Sequence, residues 1–218
     1  MFRVMLYSQW KWSRPIVLLG SVAGFALPIV SLQGARGGES SPLEPAELLR
    51  TVQSWGVLYP VLAATLGLLV AIATWTPDHR GRHVHALVLP VPRWRYVLLR
   101  FGAGAALLAA PIIAVTAGAL LATWSAKIPA GLQGYPATLA VRFALAVLLA
   151  FSVFFAVSAG TARTAGIILA LIGGVILVQI LAHVATVDLD LLAKLQLVVL
   201  NWPGPLAIFA GRWMLIDV

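Results

Sequence analysis

Long apolar runs separated by short polar clusters dominate the chain. Runs near 15–33, 55–75, 98–124, 137–160 and 164–186 each supply the about 20 helical residues that a hydrocarbon layer of about 30 Å requires. A less regular run covers 190–214. Every run is expected to be α-helical, because a helix closes its backbone hydrogen bonds internally where lipid offers no water. The alternation of a transmembrane β-barrel strand is absent. The pattern predicts an all-α, polytopic membrane helix bundle of about six spans, forming a single transmembrane domain over residues 1–218.

The polar clusters refine this outline. Residues 2–14, FRVMLYSQWKWSR, interleave Phe2, Tyr7, Trp10 and Trp12 with Arg3, Lys11 and Arg14. That mixture predicts an interfacial helix with aromatics at headgroup depth. The apolar run Pro15 to Leu32 is 18 residues long, more than the about 7–15 of a signal-peptide core, and reads as an uncleaved first span. Ser41-Pro42-Leu43-Glu44 fits a capping box with proline at the first helical position, predicting a short helix near 42–54. Pro28, Pro60, Pro111 and Gly173-Gly174 put helix breakers inside spans. Gly20 and Gly24 form a GxxxG, a surface on which helices pack closely. Thirteen residues follow Pro205, reaching about 20 Å as a helix. That is too short to cross, so either the last span begins near Asp190 and kinks at 201–205, the preferred reading, or the C-terminal segment is a re-entrant or outer helix and the spans number five.

Composition agrees: 61% of the residues are hydrophobic and 10% charged, against about 25% charged in a soluble domain. The formal charge of +8 sits in patches beside apolar runs, which is the bias of membrane topology, and no nucleic-acid partner is implied. With the N-terminus in the cytoplasm, the inner segments hold Arg3, Lys11, Arg14, Arg80, Arg82, Arg93, Arg95, Arg100, Arg163 and Arg212. The outer ones hold Arg36, Arg50, Lys127, Arg142 and Lys194. The excess inside predicts that orientation. There is no cysteine, hence no disulfide or thiol chemistry.

The most polar stretch is residues 76–100, TPDHRGRHVHALVLPVPRWRYVLLR. His79, His83 and His85 invite a metal reading, but Arg80 and Arg82 flank them and Asp78 is the only carboxylate near. A dication is disfavoured there, and no metal site is expected. Arg93, Trp94, Arg95, Tyr96 and Arg100 suit an anchor in anionic headgroups. A short helix near 82–89, followed by the stiff Pro90-Val91-Pro92, suits docking to a soluble partner.

Catalytic constellations are missing. Ser158 and His183 fall near opposite ends of adjacent spans, far beyond the about 3 Å that a nucleophile and its base require. No acid falls in the middle of a span, so the chain carries no internal ion site of the kind that drives secondary transport. A transporter built this way needs an external energy source. Gln179 and His183, one turn apart, read as an interhelical hydrogen bond or as a lining of a translocation path. Arg142 is expected to snorkel to the interface.

An apolar span, an acidic-basic turn, a glycine, a short helix, a leucine pair, Pro-x-x-Arg and then the next span: this order resembles the permease subunits of ABC-2 type transporters. Asp78, Gly81, Leu87, Leu89, Pro90 and Arg93 occupy those places, with aspartate where the family usually has glutamate. The resemblance implies that residues 78–93 are a cytoplasmic coupling helix and its surroundings, between spans two and three. Asp78, His79, Arg80, Arg82, His83, His85, Leu87 and Arg93 would then contact an ATP-binding subunit. The chain has no GxxxxGK[ST] phosphate loop, so ATP and Mg would be bound in that partner and this chain would not itself be an enzyme. The family pattern implies two ATP-binding subunits, a second permease subunit (identical or homologous), a bacterial inner membrane, and export of a substrate that the sequence does not name. Two alternatives are a haem-export-type permease of cytochrome c maturation and a non-transporting membrane scaffold or assembly protein.

Overall fold

The computed structural model describes residues 2–34, 45–80, 92–126, 131–159, 204–217 and four single positions, 167, 170, 174 and 178. The chain divides into two compact units, one of Met1–Phe155 with Arg212–Val218, the other of Ala156–Gly211.

The first unit is a helical bundle. Helix α1 covers Phe2–Gly34, α2 Pro45–Gly56, α3 Leu58–Arg80, α4 Arg93–Ser125 and α5 Pro136–Ser158, the last turn of α5 passing into the second unit. Strand β1, Gln133–Gly134, precedes α5, and strand β2, Ile216–Asp217, closes the chain. Among the described residues, four helical stretches, Phe2–Gln33, Leu48–Asp78, Arg93–Ser125 and Pro136–Ser158, are long and apolar enough to cross a membrane. Helices α1 and α4 run the same way, with Gln9 beside Arg100 and Phe25 beside Gly118. Helix α3 runs against α4, with Asp78 beside Tyr96 and Thr74 beside Arg100.

Residues 2–14 do not form a separate interfacial helix: they run into residues 15–34 as one helix, with Pro15 and Pro28 inside it. The reason is packing. Gln9, Ser13 and Val17, four residues apart, are buried on one face of α1. Gln9 Nε2 donates to the Arg100 carbonyl at 3.0 Å. This contact holds the early turns in line with the span despite the missing N–H of Pro15. Arg3, Lys11 and Arg14 are exposed. At about 1.5 Å per residue, α1 and α4 each reach about 50 Å, beyond the about 30 Å of a hydrocarbon core.

Glycines set how closely the helices approach. A Cβ on Gly20 would fall 2.3 Å from Leu66 Cδ2, and one on Gly24 2.8 Å from Val115 Cγ2. The GxxxG of α1 thus faces α3 and α4. Gly118 of α4 lies against the α1 backbone, where a Cβ would meet the Phe25 carbonyl oxygen at 2.4 Å. Gly67 of α3 meets Ala150 and Phe151 of α5 in the same manner. Small residues let backbones come together where dispersion and packing, with little hydrophobic drive, hold helices in lipid.

The second unit is described in part. Ile167, Ala170, Gly174 and Val178 are helical; the remainder of the expected span 164–186 lies outside the described residues. The expected span 190–214 also lies mostly outside them. Its described part is not α-helical: Pro205–Phe209 is a 3-10 helix, and Gly211 takes φ 82°. The proline at the first turn and the left-handed glycine are local reasons for the break.

Beyond Gly211 the chain rejoins the first unit. Gln133 pairs with Asp217 and Gly134 with Ile216 in an antiparallel ladder. Tyr135 N donates to the Leu215 carbonyl at 2.9 Å. Trp213, Leu215 and Ile216 are buried. The chain's end therefore stands at the end of the bundle where α5 begins, opposite the end that carries Asp78, Arg93 and Phe155. Arg212, grouped by sequence with the N-terminal side, lies instead beside Arg142 at the far end.

Candidate functional site

Helices α3 and α4 flank the polar segment, and both bring charge into the bundle on a helical spacing. Thr74 and Asp78 lie one turn apart on α3; Tyr96 and Arg100 lie one turn apart on α4. Residues at that spacing share a face. The α4 face continues through buried Ala103, Gly104, Leu107 and Leu108. Arg100 therefore projects into the bundle, while Arg93, Trp94 and Arg95 remain exposed.

Arg100 Nη1 reaches Asp78 Oδ2 at 2.5 Å, and both side chains are almost fully buried. Tyr96 OH donates to the same carboxylate, 3.0 Å from Oδ1 and 2.9 Å from Oδ2, and also contacts Arg100 Nη1. Arg100 Nε and Nη2 donate to the Thr74 carbonyl at 2.9 and 2.5 Å. Isolated burial of either charge would be costly; pairing and added hydrogen bonds make it tolerable.

Aromatic rings close the site on its apolar side. The Arg100 guanidinium carbon lies 5.1 Å from the Trp75 ring centre and 5.3 Å from that of Tyr96, within cation–π range. Trp75 packs on Phe155 at 5.1 Å, and its indole N–H donates to the Phe155 carbonyl at 3.1 Å. Phe101, Phe151 and Phe155 form a ring cluster with centroid separations of 5.2, 5.3 and 5.5 Å. Gly104 gives Phe151 room, since a Cβ there would lie 2.5 Å from Phe151 Cζ. The polar cluster thus joins α1, α3 and α4, and the aromatic cluster adds α5.

The residues implied as partner contacts divide. Asp78 is 4% exposed and bonded to Arg100 and Tyr96. Arg93 is exposed at the start of α4. His79 and Arg80 belong to the last turn of α3, and their side chains lie outside the described residues. Arg82, His83, His85 and Leu87 lie outside the described residues altogether, as do the expected helix near 82–89, Gln179 and His183. Among the described residues, no group of three or more His, Cys, Asp or Glu could hold a metal ion. The anchor read from residues 93–100 splits: three residues face outward, and Tyr96 and Arg100 turn inward. Gln9, Thr74 and Trp75 were not singled out by the sequence; the signal for Gln9 and Thr74 is their i, i+4 register with Ser13 and Asp78, and the Trp75 contact with Phe155 is made only by packing between helices.

A second constellation sits at the far end. Trp213 stacks on Tyr59 with centroids 6.4 Å apart and planes 10° from parallel. Arg142 lies over the Trp213 ring at 4.5 Å and donates to the Arg212 carbonyl at 2.5 Å. Arg142 therefore stacks within the bundle's end instead of extending freely to water. Gly56 makes room for the same strap, because a Cβ there would lie 2.4 Å from the Trp213 carbonyl oxygen. No family model, curated protein or solved structure matches the chain.

Proposed function

We propose that the chain is the membrane permease subunit of an ATP-driven exporter, moving its substrate with energy from a separate ATP-hydrolysing subunit. The observation that carries the reading is the 2.5 Å ion pair between Asp78 and Arg100. Asp78 lies two residues before the end of α3 and Arg100 seven residues into α4, on either side of residues 81–92. The pair ties the two arms of that segment together inside the bundle. Force applied to residues 79–92 would then act on α3 and α4 as one body, and on α1 through the bond from Gln9 to the Arg100 carbonyl. A flexible loop between independent helices would dissipate the same force.

In this reading Asp78 braces the coupling element from within. Contact with the partner falls to His79, Arg80, Arg82, His83, His85, Leu87 and Arg93. Gln179 and His183 remain the polar candidates for the translocation path. The setting is a bacterial cell membrane with the N-terminus in the cytoplasm, and the working unit is two permease chains on two ATP-binding chains.

The test is the double replacement Leu87→Asp with Leu89→Asp. It introduces two charges at Leu87 and Leu89 without touching the ion pair. Nucleotide hydrolysis by the assembled complex is expected to lose its response to transport, while circular dichroism and the melting temperature stay unchanged. Preserved coupling in a folded variant contradicts the docking assignment.

A further inference from the structure

At the far end of the bundle a cleft of about 340 Å³ opens beside the first turns of α5, lined by Tyr135, Thr138, Arg142, Arg212, Trp213 and Asp217, with Leu139 and Met214. We propose that this cleft binds the phosphodiester headgroup of a phospholipid. The inference is independent of the exporter reading.

Three features point to that ligand. The first is charge: two guanidinium groups and one carboxylate line the cleft, a formal surplus of one positive charge, which matches a phosphodiester monoanion. Guanidinium forks suit phosphate oxygens better than a point charge does. The N-terminus of α5 adds partial positive charge from its early N–H groups. The second is an unmet donor. Trp213 is 3% exposed, and its indole N–H is buried with no partner among the described residues. A buried donor of this kind is costly unless something accepts from it.

The third is depth and surroundings. Arg142 lies six residues inside an apolar helix, with Tyr135 and Trp213 beside it, where aromatic belts meet headgroups. Below the cleft on α5, Val141 and Leu145 are exposed at 60% and 53%. They lie one turn apart and continue the face begun by Thr138, so they offer a surface for an acyl chain directly under the phosphate position. A soluble phosphate ester would leave that surface unused.

Arg212 is the residue to change. Its side chain is exposed, and only its backbone carbonyl accepts the bond from Arg142, so Arg212→Gln leaves the stack on Trp213 intact. The full chain is reconstituted with phosphatidylglycerol or with diacylglycerol, and retained lipid is counted by native mass spectrometry. Phosphatidylglycerol is expected to remain bound to the natural chain, to fall about tenfold or more in Arg212→Gln, and to return in part with Arg212→Lys. Diacylglycerol is expected not to be retained. Equal retention of both lipids, or no loss in a folded Arg212→Gln, overturns the proposal. Displacement by glycerol phosphate at matched concentration overturns the lipid assignment as well.

Discussion

Arg100 and Asp78 are 22 residues apart in sequence and 2.5 Å apart in the bundle, joined across α3 and α4 at the roots of the polar segment. Each charge is buried. The free energy of the pair depends on both members being present, because the survivor of a single replacement keeps its desolvation cost and loses its partner. Asp78→Leu or Arg100→Met alone is expected to destabilise the bundle by about 3–5 kcal/mol. The double variant is expected to regain most of that loss. Melting in detergent micelles measures the cycle, and additive losses would show that the pair is not coupled.

Close helix approach makes a second prediction. A methyl group at Gly118 would press on the α1 backbone at Phe25, which cannot rotate away. Gly118→Ala is expected to cost about 1–3 kcal/mol, as overpacking does. At Gly102 of the same helix the nearest atom to a new Cβ is Phe2 Cε2 at 3.7 Å, an ordinary contact. Gly102→Ala is expected to change stability by no more than about 0.5 kcal/mol. Parallel melts of the two variants check the contrast.

The strap at the far end makes a third. Trp213 is buried between Tyr59 and Arg142, and Trp213→Ala is expected to cost about 3–5 kcal/mol. The effect should be local. Tyr59 and strand β1 lose their cover, so hydrogen exchange should rise at residues 131–135 and near Tyr59 while the Asp78 end keeps its protection.

The fourth prediction concerns sides. Phe2 and Asp217 stand at opposite ends of the first unit, and the chain has no cysteine. Single-cysteine variants Phe2→Cys and Asp217→Cys in sealed vesicles are expected to react with a membrane-impermeant maleimide from opposite faces. Labelling of both from one face contradicts the strap geometry.

Much of this architecture was legible in the pattern of apolar runs. The runs at 55–75, 98–124 and 137–160 correspond to α3, α4 and α5, because in lipid a long apolar stretch has only the helix available to it. The ends were less legible. Residues 2–14 read as interfacial from their mixed composition, yet Gln9 is bonded to α4 and Ser13 is buried on the same face, a tertiary fact that no local pattern carries. The strap was illegible for the same reason: β2 exists only because β1 lies beside it. At the candidate site, Asp78 was noticed as part of a family-like pattern and Arg100 as a headgroup anchor. Their pairing depends on two helical registers meeting across a 12-residue polar connection, 81–92. Composition alone offers an arginine near a membrane interface to the lipid first.

The account turns on a partner that hydrolyses ATP and engages residues 79–92. The most direct measurement is affinity purification of the tagged full chain from its native membranes in mild detergent, followed by assay of the eluate for ATP hydrolysis. The account predicts a stoichiometric nucleotide-hydrolysing polypeptide that co-elutes with the natural chain and is lost from the folded Leu87→Asp, Leu89→Asp variant. A natural chain that elutes folded, intact and without such a polypeptide contradicts it.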